Sequence, residues 1–160
     1  MRWIWIDKFI EFTPRTSATA VKNVSLAEEH LHDLYPSFPI MPNSLIIEGM
    51  AQTAGILVGE ARNFAEKVIL AKIGRATFHR IVRPGDTIHY LAKIEHLDEH
   101  GASISGKVMA GQDLVAEIEM MFSHIDKNLA GIEFPEHNFV FTEQFTELLK
   151  TYRFHADVKI

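Results

Sequence analysis

Glu48 is the residue whose chemistry most needs an explanation. It stands one turn into a stretch, NSLIIEGMAQTAGILVGEARN at 43–63, that is otherwise almost wholly apolar. An ionised carboxylate in a low-dielectric interior is costly unless it is paired or hydrogen-bonded, and a group held there is suited to giving and taking protons. The other reading of the same residue is a helix-start glutamate favoured by the macrodipole and facing water. Residue type and spacing leave both open. Gln52 follows four residues later, on the same helical face, where its amide could bond the carboxylate or a loop carbonyl. Asn43 suits the N-cap of this helix. Whatever its side chain does, the backbone N–H groups of a helix start can receive an anion or polarise a carbonyl.

The chain holds nine histidines and no cysteine. Lack of cysteine excludes a thiol nucleophile, a thiolate zinc site, an iron–sulfur cluster and a disulfide scaffold. His30 and His32 sit just ahead of a proline-rich segment, with no carboxylate at recognisable metal-ligand spacing. His79, His89, His96, His100 and His124 fall in predicted strands or turns and read as structural or solvated. Ser44 has no nucleophile-elbow glycines beside it, and no phosphate-cradling glycine loop or dinucleotide fingerprint occurs. No cofactor and no metal is expected.

The elements that must position these residues follow from pattern. Prolines at 36, 39 and 42 force 34–42, LYPSFPIMP, into a stiff extended loop suited to the wall of a binding site or to a plain connector. The 43–63 segment is predicted to be a long helix, apolar on nearly every face and so buried on all sides. Ser25-x-x-Glu28 predicts a capping box for a short helical turn over 26–32. Strands are predicted at 3–10 and from β-prone ends of 16–24, then at 67–74, 76–82, 86–96, 101–110 and 113–124. Period two is clearest in the last two, with Ala102, Ile104, Gly106 and Val108 on one face and Ala116, Ile118, Met120 and Phe122 on another. Turn residues at 83–86, 98–101 and 110–113 join successive strands as antiparallel neighbours. The fold class is therefore α+β, one buried helix followed by a large antiparallel sheet. Thr142 is predicted to cap a terminal helix over 143–152, read as a helix docked on the sheet, with a lid or an oligomer contact as the functional reading.

Length and composition agree. The 160 residues, 47% hydrophobic and 23% charged, suit one globular domain. We divide the chain into a domain over 1–126 and an extension over 127–160 packed on it. A net charge of −5 and the absence of a basic tract give no support to nucleic-acid binding. The opening MRWIWIDKFIEFTP does not read as a signal peptide, and no apolar run reaches membrane-spanning length. A cytoplasmic protein with no membrane contact is expected.

Residues 20–58 carry a resemblance. AVKNVS followed by YPSFPIMPNSLIIEGMAQTAGIL resembles the bacterial 3-hydroxyacyl-[acyl-carrier-protein] dehydratase family, as do RPGD at 83–86 and AEIEMMF at 116–122. The likeness covers about residues 3–125, and the pattern P-x-x-P-x-x-P-x-x-L-I-I-E-x-M-A-Q is its specific part. It implies the hotdog fold, a long central helix wrapped by an antiparallel sheet. It implies a homodimer with two sites at its interface, assembled in some members into a hexamer, and a thioester substrate carried on acyl carrier protein or coenzyme A. It also implies a histidine base from one subunit, a carboxylate acid from the other, and a helix-start amide that polarises the thioester carbonyl.

Carried over residue by residue, Glu48 takes the place of the acid, Gln52 the glutamine one turn on, and Asn43 the backbone amide. The family's H-F-P-G reads Leu34-Tyr35-Pro36-Ser37 here, so Leu34 stands at the base position. His32 is then the expected base, displaced by two residues, with His30 as a weaker candidate. Leu34, Tyr35, Phe38, Ile40 and Met41 are expected to line the acyl tunnel. The alternatives are a thioester hydrolase on the same scaffold, in which Glu48 activates water, and a catalytically silent subunit of a heteromer with an active homologue.

Overall fold

The computed structural model describes residues 4–125 and Val140. Its elements are β1 (Lys8–Thr13), β2 (Ser17–Asn23), α1 (Glu29–Asp33), α2 (Asn43–Glu60), β3 (Lys67–Phe78), β4 (Thr87–Leu97), β5 (Gly101–Ala110) and β6 (Asp113–Ile125). All pairings are antiparallel, in the sheet order β1-β2-β4-β5-β6-β3. This is the expected α+β, hotdog-type arrangement, with α2 packed against one face of the sheet. The predicted terminal helix over 143–152, and Thr142 as its cap, lie outside the described residues.

Alternation decides which face the helix covers. Ala18, Ala20, Ile88, Tyr90, Ala92, Ile104, Val108, Ala116, Ile118 and Met120 are all buried, and α2 sets Ile46, Met50, Ala54 and Leu57 against them. Burying a side chain such as Met50 or Leu57 contributes about 1.5–3 kcal/mol. Two glycines set how close the layers come. A Cβ on Gly49 of α2 would lie 2.3 Å from the Tyr90 ring, and one on Gly106 of β5 would lie 2.6 Å from Met50 Sδ. The helix can lie this low only because neither residue has a side chain.

Several local expectations are corrected. The predicted strands 67–74 and 76–82 are one strand, β3, carried past Gly74 by two register shifts against β6, and 79–82 is loop. The first strand begins at Lys8 rather than Trp3 and runs to Thr13. Helix α2 ends at Glu60, because Asn63 and Phe64 take positive φ of 53° and 55° in the turn that follows. Pro42, not Asn43, occupies its N-cap position, and no side chain caps it. Asn43 is the first helical residue. The capping box does not form: Ser25 Oγ accepts from the Ala27 N–H at 3.2 Å, and the Glu28 carboxylate turns inward to Lys22. Nor is α2 buried on every side. Leu45, Glu48, Ala51 and Gln52 form a half-buried face opposite the sheet.

No described helix is long and apolar enough to cross a membrane.

Candidate active site

The half-buried face of α2 presents Glu48 and Gln52 together. Gln52 Nε2 donates to Glu48 Oε1 at 2.9 Å, the i to i+4 contact that helical spacing allows. Gln52 Oε1 accepts from the Trp5 backbone N–H at 2.8 Å. The amide is thereby fixed at both ends: its carbonyl is committed to a main-chain donor, so its NH2 must face the carboxylate. Glu48 Oε2 takes no hydrogen bond from the described residues, which leaves it available to a ligand. A carboxylate oriented on one oxygen and open on the other is suited to passing a proton at a fixed place. Asn43, exposed at the first helical position, has a backbone N–H without an intrahelical partner, the group that could polarise a carbonyl.

Helix α1 presents its two histidines differently. Residues two apart on a helix point to nearly opposite sides. His32 is exposed, while His30 turns inward with 15% of its side chain exposed. The His30 ring meets the Trp5 ring edge-on at 5.0 Å, and its Nε2 lies 3.7 Å from Glu28 Oε2. Burial holds its pKa below the ordinary histidine value. The Glu28 charge opposes that shift, and the Lys22 charge adds to it.

The proline loop runs from α1 to α2. Leu34, Tyr35 and Phe38 on it are 55%, 52% and 47% exposed, a high value for residues of this size. Ile40 is half-buried. Met41 is wholly within the core, anchored by its N–H to the Val82 carbonyl at 2.9 Å. The Arg83 guanidinium lies 4.1 Å from the centre of the Phe38 ring. Arg83 belongs to a turn held by Asp86, whose carboxylate accepts from the Arg83 N–H at 2.8 Å and from Arg80 at 3.0 and 3.2 Å. Burial pushes the Asp86 carboxyl up. The Arg80 hydrogen bonds, the Arg83 N–H and both positive charges outweigh it, and the net shift is downward.

The structure thus brings Glu48 and Gln52 together on α2, with Asn43 at the start of the same helix. It leaves His32, Leu34, Tyr35 and Phe38 exposed, an open lip formed by α1 and the loop that leads into α2. The sequence reading missed Trp5, Lys22 and Tyr90. Trp5 acts through its main chain, which no residue pattern reveals. Lys22 did carry a signal, since it continues the inward-facing alternation of Ala18 and Ala20 on β2 and is itself only 5% exposed. The buried Tyr90 hydroxyl sits against Gly49 without a hydrogen-bond partner, and burial, reinforced by Asp7 and Glu28, pushes its pKa well above the usual phenol range. Among the described residues no three His, Asp or Glu side chains gather in a way that could hold a metal ion.

Comparison with known proteins finds relatives of the chain. The profile of the FabA-like domain matches residues 4–119. The 3-hydroxyacyl-[acyl-carrier-protein] dehydratase FabZ of Pelotomaculum thermopropionicum is 34% identical over 122 residues, covering 76% of this chain and 87% of that protein. Among solved structures, the dehydratase heterocomplex ApeI:P from Xenorhabdus doucetiae superposes with a TM-score of 0.63 at 16% identity, over 78% of this chain and 84% of that one. A thioesterase from Haemophilus influenzae does so with a TM-score of 0.59 at 14% identity, over 72% and 76%. At such identities the two structures speak for the fold alone.

Proposed function

The chain belongs to the FabA-like domain family, and from that premise we propose that it dehydrates 3-hydroxyacyl thioesters to trans-2-enoyl thioesters. The observation that carries this is the Glu48 carboxyl, oriented by Gln52 and the Trp5 N–H and open on Oε2. In the proposed reaction a base removes the C2 proton, and the electron pair of that C–H bond forms the C2–C3 double bond. The C3–O bond breaks, and the departing hydroxyl takes its proton from Glu48 to leave as water. A backbone N–H at the start of α2, at Asn43, stabilises the charge that develops on the thioester oxygen. Proton transfer of this kind contributes typically 10²–10⁴-fold.

Leu34 cannot transfer a proton, so the base is assigned to His32. Its exposure suits that assignment if the site lies between subunits: His32 and the exposed Leu34, Tyr35 and Phe38 then face the Glu48 side of a second copy. The same lip, with Ile40, is proposed to guide the acyl chain, and Met41 to support it from within the core. The substrate is carried as a thioester of acyl carrier protein or coenzyme A, in the cytoplasm, and the working unit is a homodimer.

The test is hydration and dehydration of a short 3-hydroxyacyl thioester, followed by enoyl absorbance. Wild type turns over, and Glu48→Gln and His32→Ala each lose activity. An inactive wild type, with activity gained in Leu34→His, would refute the reading and leave a subunit that depends on an active homologue for its base. Release of free thiol in place of enoyl product would make the protein a hydrolase.

A further inference from the structure

A part-buried cluster of ionisable side chains is joined to the Glu48–Gln52 pair through Trp5, and the proposed dehydration does not use it. Lys22 reaches the inner face of the sheet from β2, and its ammonium pairs with Glu28. The same ammonium lies 5.9 Å from the centre of the Trp5 ring. His30 enters from α1. Its Nε2 is buried without a hydrogen bond, 3.7 Å from Glu28 Oε2, and its ring packs on the edge of Trp5. The Trp5 ring therefore lies against His30 and within cation–π range of Lys22, while its backbone N–H holds Gln52 and through it Glu48.

We propose that His30 is a positioning residue for Glu48, acting through Trp5 and Gln52, and that protonation of His30 disturbs the orientation of the Glu48 carboxylate. One carboxylate, Glu28, stands between two basic groups. While His30 is neutral, Glu28 pairs with Lys22. Addition of a proton to His30 puts a second cation into the cluster and draws Glu28 Oε2 from 3.7 Å toward hydrogen-bonding distance. The His30 ring, which shares in closing this distance, is in contact with Trp5, and the Trp5 N–H sits 2.8 Å from Gln52 Oε1. A misplacement of about 1 Å at a catalytic group can cost about 10²-fold.

The charged groups facing His30 are Glu28 from the segment ahead of α1 and Lys22 from β2. Tyr90 of β4, which feels Glu28 and Asp7, stays protonated throughout the working range. With burial holding His30 neutral at pH 7, the effect is an acid-side loss of activity: the working arrangement is intact above the His30 pKa and is lost as the pH falls through it.

The catalytic consequence rests on the dehydratase reading, but the coupling can be read without turnover. The chain has two tryptophans, so Trp3→Phe leaves Trp5 as the sole indole. A protonated imidazole quenches an adjacent indole, and Trp5 emission therefore reports His30 directly. The Glu48 side-chain carboxyl ¹³C resonance reports the other end. We expect Trp5 emission to fall on acidification with a midpoint below 6.5, and the Glu48 resonance to show an inflection at the same pH. Both features disappear in His30→Phe, and both move to lower pH in Glu28→Gln, which removes the charge that favours the imidazolium. Across that transition the wild-type kcat falls about tenfold or more further than that of His30→Phe, while KM changes little. A Trp5 titration that the Glu48 resonance does not follow overturns the proposal, as does the absence of any Trp5 titration. Coincident inflections in a wild type without turnover uphold the coupling and refute the dehydratase reading instead.

Discussion

The two sides of the candidate site are built in opposite ways. On the α2 side every polar atom of Gln52 that orients Glu48 is spoken for within one chain, by a main-chain donor 47 residues away and by the carboxylate itself. On the α1 and proline-loop side, His32, Leu34, Tyr35 and Phe38 are exposed, and the guanidinium of Arg83 lies over the Phe38 ring. The difference teaches where the chain is finished and where it is not. The Glu48 carboxyl is oriented by the fold of a single protomer, whereas the lip leaves apolar side chains and a histidine exposed, which the proposed function has a second copy cover.

The contrast can be broken most severely at its fixed side. Glu48→Gln keeps the shape and the contact with Gln52 and removes the proton, so kcat for dehydration should fall about 10²–10⁴-fold with the thermal midpoint nearly unchanged. An active Glu48→Gln would show that the organised carboxyl is not the acid. Next comes Gly49→Ala, which places a Cβ 2.3 Å from the Tyr90 ring and hydroxyl. Overpacking of this kind costs about 1–3 kcal/mol, read as a lowered urea midpoint with unchanged m. Wild-type stability there would mean that the helix does not lie as low on β4 as the structure has it.

Gln52→Leu sharpens the comparison further. It keeps the volume and frees Glu48 to turn, and should lower kcat about tenfold with KM nearly constant, the split that separates positioning from binding. The lip is held more lightly. Asp86→Asn loosens the turn that carries Arg83 and should cost about 1 kcal/mol at neutral pH. The Asp86 pKa is lowered in the folded chain. Its contribution is therefore complete above the unfolded carboxyl value of about 4 and is lost as the pH falls through the folded value. A urea titration from pH 7 down should show the wild-type advantage over Asp86→Asn vanish in that acid range. The smallest effect on the isolated fold is Phe38→Ser, within about 0.5 kcal/mol for an exposed site, together with a measurable weakening of self-association by sedimentation.

Much of the fixed side was legible in the sequence. The apolar run interrupted by Glu48 and Gln52, and the period-two strands from Ala102 to Phe122, predict a helix on an antiparallel sheet. That is what forms, because both patterns are local and consistent with one buried face. What could not be read were partners brought together by tertiary structure. Nothing near Gln52 in the chain points to the Trp5 main chain. Ser25-x-x-Glu28 reads as a capping box, yet in the fold Glu28 serves Lys22, since an unpaired ammonium on the inner face of the sheet costs more than a lost cap. His30 and His32 look equivalent in sequence, and only the phase of α1 turns one inward and the other out.

The central claim is that the acid fixed in one protomer works with a base carried on the open lip of another. Subunit mixing tests it most directly. Glu48→Gln and His32→Ala, each inactive alone, are unfolded together, refolded and assayed with a 3-hydroxyacyl thioester. A mixed dimer rebuilds one complete site, with Glu48 from one chain and His32 from the other. Statistical pairing then restores about a quarter of wild-type activity. No recovery, in a preparation shown by mass spectrometry to contain the mixed dimer, would contradict the claim that the two residues meet across a subunit interface.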